Sequence, residues 1–418
     1  MLSKKLTVDK IPHLIKNKRV LVRVDYNVPM QNGIVADPTR ITSTIDTINF
    51  LKENGAKSIV LMSHLGRPKG VRQDQFSLKP IVPALIDILG QKVKFLDNCI
   101  GTEVESDVAN AKNGEILLLE NLRFHLEEEG KGVVNGEKIT ADAAAVQDFR
   151  AQLTRLGDIY VNDAFGTCHR AHSSMVGVNV ETRAAGFLLK KELDYFSKVL
   201  ENPQRPLTVI LGGAKVADKI QLIDNLLDIA DEMIIGGGMA FTFNKVLNNT
   251  SIGASLYDAE GAKTVHNIVA KAKQKGVKIH LPTDFVCADK FSEDAQVAYK
   301  TEDEGVPEGW LGLDVGKNSI KSFDKVIRRS NTLFWNGPAG VFEWNNFSKG
   351  SHAMLKAVTE STQKGTVSVC GGGDTLNLLK QVPGATENIS HVSTGGGASL
   401  ELVEGKELPG ILALSDIN

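Results

Sequence analysis

Cysteine is scarce in this chain of 418 residues: Cys99, Cys168, Cys287 and Cys370 lie far apart and form no CxxC pair. That spacing argues against a disulfide framework or a cysteine zinc site, and it fits a reducing compartment. An excess of one charge is also missing, with 48 Lys and Arg against 50 Asp and Glu and a net charge of -2. Chains that ride on nucleic acid or anionic membranes usually carry a basic excess. Any anion site here must therefore be a local cluster. No apolar run approaches membrane-spanning length, and MLSKKLTVDKIPHLIKNKRV lacks the apolar centre of a secretory leader. The final ALSDIN carries no retention or peroxisomal address. The expectation is a cytoplasmic protein with neither nucleic-acid nor membrane partners.

The apolar fraction of 42% and the charged fraction of 23% are ordinary for a globular protein, and the length calls for two or three domains. Short runs rich in Val, Ile and Leu end in polar or glycine-rich turns, each followed by a longer amphipathic stretch. This alternation predicts buried parallel strands and crossover helices. Strands are expected near 19–25, 58–64, 115–120 and 159–163, then near 207–211, 232–235, 278–281, 331–335, 366–370 and 390–393. The fold class is α/β, with two lobes, each a doubly wound parallel sheet of the Rossmann-like kind. Leu188, Leu189, Leu193, Phe196 and Leu200 recur at helical spacing, with Pro203 and Pro206 beyond them. They predict a helix and hinge joining the lobes, although an ordinary crossover helix has the same periodicity. The run Glu127–Glu129 reads as a solvated loop.

Ligands of open parallel sheets bind beyond the carboxyl ends of the strands. In the first half those ends carry charge: Asp25 and Asn27 after RVLVRV, His64 and Arg67 in SHLGRP, Arg123 in ENLRF, and Arg170 in TCHRAHSS. Arg40 follows in DPTRI. Guanidinium forks match phosphate and carboxylate oxygens, so this rim suggests a small substrate with more than one negative charge. A lone arginine after a strand is usually a surface ion pair. Several on one rim, in a chain without basic excess, weaken that reading.

In the second half the strand ends carry glycine: LGGAKVADK, GGGMAF, WNGPAGVFE, GGGDT and STGGGAS. Such turns let backbone N–H groups approach phosphate oxygens, although glycine also serves plain turn chemistry. None is a GxxxxGK[ST] loop, and none is a GxGxxG turn with a proper acidic partner. Lys215 and Lys219 are four apart at the start of an expected helix, which would place both ammonium groups on one face. Asp374 in GGGDT is a candidate magnesium ligand, Thr375 a neighbouring donor, and Glu343 an acceptor for ribose hydroxyls. His169 and His172, beside Cys168, share helical spacing, but no second ligand cluster supports zinc.

The ordered segments VRVDYNVP, SHLGRP, ENLRF, AFGTCHRAHSS, GGAKV, GGGMAFTF, WNGPAGVFE, GGGDT and STGGGASLEL resemble the signature of phosphoglycerate kinases over the whole chain. The resemblance implies a phosphoglycerate-binding domain over 1–186, an interdomain helix over 187–202, a nucleotide-binding domain over 203–404, and a tail over 405–418 that returns to the first domain. It implies a monomer that binds 3-phosphoglycerate or 1,3-bisphosphoglycerate through Asp25, Asn27, Arg40, His64, Arg67, Arg123 and Arg170. ADP or ATP with Mg2+ would be served by Lys215, Lys219, Gly312, Asn336, Glu343, Gly373, Asp374 and Thr375, with Asp374 on the metal. Arg40 and Lys215 match the residues that stabilise the transferring phosphoryl group. Pro38 and Cys168 depart from the commoner pattern but replace no contact residue. A kinase for another small acid, a two-lobed binding protein and a dehydrogenase remain as rival readings.

Overall fold

The structure is a computed structural model that describes residues 1–417. The chain forms two compact units, one of Met1–Asp194 with the segment from Glu407 on, the other of Tyr195–Lys406. Both are built on six-stranded parallel sheets flanked by helices.

The sheet of the first unit runs, edge to edge, Thr182–Ala185, Ile159–Asp163, Arg19–Val24, Ser58–Met62, Glu115–Leu119, Val93–Leu96. Leu21 lies opposite Val60 on one side and Tyr160 on the other, so the central strand is paired along both edges. Helices cover both faces, which is why RVLVRV, SIVLM and EILLL are nearly continuous apolar runs. Val20, Val22, Ile59 and Leu61 pack with Ile48 and Leu51 of the helix Ile45–Glu53. The chain leaves the central strand in one direction and later returns to its other edge. The topological switch thus falls between Arg19–Val24 and Ile159–Asp163.

The second sheet runs Lys278–His280, Glu232–Ile235, Leu207–Leu211, Thr332–Asn336, Val367–Cys370, His391–Val392. Its switch falls between Leu207–Leu211 and Thr332–Asn336. Trp335, fully buried, packs with Phe323 and Ile327 of the helix Lys317–Arg328 and with Leu355 and Val358 of Lys349–Gln363.

Some strands carry little sequence signal. Val93–Leu96 and Thr182–Ala185 are four-residue strands at the two edges of the first sheet, half-solvated and without a sustained apolar run. An antiparallel sheet of Val297–Thr301, Asp284–Ala288 and Leu311–Val315 interrupts the strand–helix alternation of the second unit. The central strand Asp284–Ala288 is buried, but its two neighbours face solvent in part and acidic turns separate all three, so the segment reads as loop. Among the described residues no helix is long and apolar enough to cross a membrane.

The helix Phe187–Leu200 starts on a buried carboxylate. Asp163 Oδ1 accepts from the N–H groups of Leu188 and Leu189, at 2.9 and 3.2 Å. Its Oδ2 accepts from Thr47 Oγ1 at 2.7 Å, and that hydroxyl accepts in turn from Phe187 N–H at 2.9 Å. Three otherwise unpaired donors of the first turn are thereby satisfied. Gly186 precedes them because a Cβ there would sit 2.3 Å from Asp163 Oδ1. Asp163→Ala is expected to cost about 2–4 kcal/mol by leaving buried donors unmatched. Thermal unfolding checks this, and an unchanged midpoint would refute the cap.

Candidate functional site

In the first unit the turns after the strands are tied together by hydrogen bonds. Asn27 N–H donates to Asp25 Oδ1 at 3.2 Å, and Asn27 Oδ1 accepts from Gly66 N–H at 2.9 Å. Arg123 NH1 donates to Gly66 O at 2.9 Å. Arg40, on the short helix Thr39–Thr42, uses NH1 for Asp25, at 3.1 and 3.2 Å, and for Asn27 O at 2.9 Å. Asp25, Asn27, Arg40 and Arg123 therefore belong to one polar rim at the carboxyl ends of the sheet. Arg67 and Arg170 are exposed, and among the described residues their side chains have neither hydrogen bond nor ion pair.

His64 lies beneath this rim, 5% exposed. Burial holds its pKa well below the ordinary value, and the nearby Arg23, Arg123, His172 and Arg40 push the same way. It is a neutral imidazole. Arg23 NH2 lies 3.1 Å from its Nδ1, and a guanidinium can only donate, so Nδ1 is the acceptor and Nε2 carries the hydrogen. His172 is held down to about 3, first by burial and then by Arg123, Arg23 and Arg170. Its Nε2 is 3.7 Å from Glu129 Oε1, and Arg123 Nε is 3.6 Å from the same oxygen. His172 and Arg123 thus approach the same Glu129 oxygen beside the basic rim. Among the described residues no group of three or more metal-ligating side chains forms.

Two members of this network escape a reading of the sequence alone. Arg23 sits inside the strand RVLVRV and is fully buried. The run Glu127–Glu129 is not a solvated loop but part of the helical turn Leu126–Glu129, with Glu128 1% exposed. Glu128 accepts from Ser174 Oγ at 2.6 Å and from Ser174 N–H at 2.9 Å. Burial raises its pKa, and Arg23 and the Ser174 donors oppose that rise. No periodicity separates an inward glutamate from its two neighbours in a run of three.

In the second unit a cavity of about 520 Å³ opens at the switch point, lined among others by Gly213, Gly238, Gly312, Glu343 and Asp374. Glycine is obligatory at two of its turns. A Cβ on Gly212 would lie 2.0 Å from Pro338 O, and Gly237, at φ +68°, would meet Gly213 N at 2.7 Å. Lys219 Nζ donates to Asn336 Oδ1, while Asn336 Nδ2 donates to Gly371 O at 2.9 Å. Burial lowers the Lys219 pKa, against the pull of Asp374. Thr375 Oγ1 accepts from Gly337 N–H at 2.8 Å, and Gly312 N–H donates to Ser255 Oγ at 2.8 Å. Gly373 and Asp374 open the helix Gly373–Gln381, where an N-terminus favours anions.

Lys215 and Lys219 do not share a helical face. Lys219 closes the 3-10 turn Ala217–Lys219 and the α-helix starts at Ile220, whereas Lys215 is exposed in the preceding turn. Consecutive glycines and the tight approach to Gly237 delay the helix past the point where spacing places it. A further group, Asp314, lines the cavity without a sequence signal. Burial raises its pKa to about 7, although it accepts from Gly350 N–H at 2.9 Å and Val315 N–H at 2.8 Å.

A rim of arginines in one unit and a glycine-walled cavity in the other suit two different anionic ligands. Comparison with known proteins gives that arrangement a family. The model of the family described as phosphoglycerate kinase matches residues 9–406. The chain is 82% identical to a phosphoglycerate kinase of Euplotes crassus over 418 residues, covering 100% of both. It is 56% identical to phosphoglycerate kinase 1 of Homo sapiens, again over 100% of both chains. Among solved structures it resembles the phosphoglycerate kinase from Coxiella burnetii, with a TM-score of 0.87, 38% identity and 98% of each chain covered. With matches of this extent in sequence and in fold, the chain belongs to the phosphoglycerate kinase family.

Proposed function

We propose that this protein transfers a phosphoryl group reversibly between 1,3-bisphosphoglycerate and ADP, giving 3-phosphoglycerate and ATP, as a cytoplasmic monomer in glycolysis and gluconeogenesis. The observation that carries the reading is the division of labour between the units. One offers guanidinium forks and a neutral imidazole to a small acid, and the other offers glycine turns and a helix N-terminus to a polyphosphate.

In the first unit Asp25, Asn27, His64, Arg67, Arg123 and Arg170 bind the phosphoglycerate. Arg40 spends NH1 on Asp25 and Asn27, which leaves the rest of its guanidinium fork for the reacting group. In the second, Lys219, Gly312, Asn336, Glu343, Gly373 and Thr375 hold the nucleotide. Mg2+ takes few protein ligands and shares the phosphates, so one carboxylate, Asp374, in the first turn of a helix suits it. When bound, the ion neutralises phosphate charge. The protein's own task is alignment and charge stabilisation, with Arg40 and Lys215 on the transferring group. Direct transfer needs the two bound substrates in contact and away from water, so the reading includes hinge-bending closure.

Magnesium-dependent formation of 1,3-bisphosphoglycerate from ATP and 3-phosphoglycerate, followed in a coupled assay, tests the reaction. Binding of both ligands without turnover would point to another acid as substrate. Arg40→Ala and Lys215→Ala are each expected to lower kcat by on the order of 100-fold, with folding little changed. Near-normal kcat in either would remove it from this role. Arg123→Ala and Arg170→Ala should chiefly raise KM for phosphoglycerate, and an unchanged KM would count against the rim.

The low pKa of His172 also makes the protein sensitive to acid. The folded state resists a proton until about pH 3, whereas the unfolded chain takes it near 6.5. The unfolded state binds more protons inside that window. Stability is therefore full above pH 6.5 and falls as pH drops, by up to about 1.4 kcal/mol per pH unit from this residue. In His172→Gln the loss of stability between pH 7 and pH 5 should shrink by roughly 1–2 kcal/mol. Unfolding midpoints at the two pH values measure it, and identical losses would show that His172 is not a source of acid sensitivity.

A further inference from the structure

Arg23 is a complete positive charge inside the sheet of the first unit, with no exposed surface. Such a charge is tolerated only with partners on every arm. Its Nε donates to Ser174 Oγ at 2.8 Å, NH1 donates to Val24 O, and NH2 donates to His64 Nδ1 at 3.1 Å. Since Ser174 Oγ accepts from Arg23, its own hydrogen goes to Glu128 Oε1, 2.6 Å away. The second Glu128 oxygen accepts from Ser174 N–H at 2.9 Å. The direction of every hydrogen bond is then set: Glu128 orients Ser174, Ser174 orients Arg23, and Arg23 leaves His64 its hydrogen on Nε2.

We propose that Glu128 is a positioning residue for the acid-binding rim, acting through Ser174 and Arg23 to hold His64 as a neutral Nε2–H donor. The proposal rests on His64 serving the phosphoglycerate. Glutamine at 128 would have the right shape and the wrong polarity. Its amide could donate to Ser174 Oγ, competing with Arg23 for that oxygen and removing the balancing negative charge. The groups that act on His64 are Arg23, Arg40, Arg123 and His172, all cationic or capable of becoming so. Those that act on Glu128 are Arg23 and Arg123, with the Ser174 donors. Glu128 is thus the anionic end of a chain whose other end is the imidazole. The arrangement is more than a buried ion pair that only holds two elements together, because it fixes one tautomer.

The test uses full-length protein with 15N-labelled histidine, His64 being assigned by the signal missing in His64→Gln. In the unsubstituted protein, long-range 1H–15N spectra should show Nε2–H and an unprotonated Nδ1 for His64 from pH 5.5 to 8. Glu128→Gln and Ser174→Ala should each give mixed tautomers or a protonation step within that range. Both should raise KM for 3-phosphoglycerate about tenfold, the loss of roughly one oriented hydrogen bond, and leave KM for ATP within about twofold. If Glu128→Gln does not fold, Ser174→Ala decides, since it removes a single buried hydroxyl. A lower melting temperature with an unaltered His64 spectrum and unaltered KM overturns the proposal, as does an altered spectrum without a change in KM. Absence of turnover in the unsubstituted protein would instead sink the functional reading, while the spectra still judge the hydrogen-bond chain.

Discussion

A parallel sheet covered by helices on both faces has nowhere to put polar side chains except beyond its strand ends, unless they come with their own partners. That constraint organises both units of this protein. Each sheet is a block of buried Val, Ile and Leu, and each collects its chemistry at the carboxyl ends of the strands, next to the switch in strand order. In the first unit those ends present charge, and in the second they present backbone. The difference follows from what stands after the strands: aspartate, histidine and arginine in one, consecutive glycines in the other.

The exception to the constraint is informative. Arg23 breaks the apolar pattern of its strand and is accommodated by a serine, a carbonyl, an imidazole and, one step away, a carboxylate. A methionine there would pack with less desolvation cost. What the arginine adds is direction, because it can only donate. Asp163 works on the same principle at the start of the helix Phe187–Leu200, where its two carboxyl oxygens gather three donors. Polar groups inside these units orient their neighbours.

The second unit uses the opposite device. Its selectivity for shape comes from the absence of side chains: at Gly212 and Gly237 a single methyl group would collide with backbone atoms of the facing turns. The cavity exists because these turns can approach one another without Cβ atoms. Lys219 and Asn336, drawn from different strand ends, are joined across that approach.

Sequence periodicity by itself determined the α/β class, the central strands of both sheets and most of the residues gathered at their ends, because burial on two faces writes long apolar runs and pushes polar residues to their termini. The edge strands Val93–Leu96 and Thr182–Ala185 were not legible, since half-solvated strands need no such run. Neither was the antiparallel sheet around Asp284–Ala288, whose strands are separated by turns that look like loop. Only tertiary structure decided that Glu128 points inward while Glu127 and Glu129 stay partly exposed, that Lys215 and Lys219 part company, and that His64 must be neutral. Those outcomes depend on which distant residue arrives opposite each side chain: Ser174 for Glu128, Asn336 for Lys219, Arg23 for His64. Local spacing carries no information about partners 41, 46 and 117 residues away, or about the direction in which a hydrogen bond between two buried groups must run.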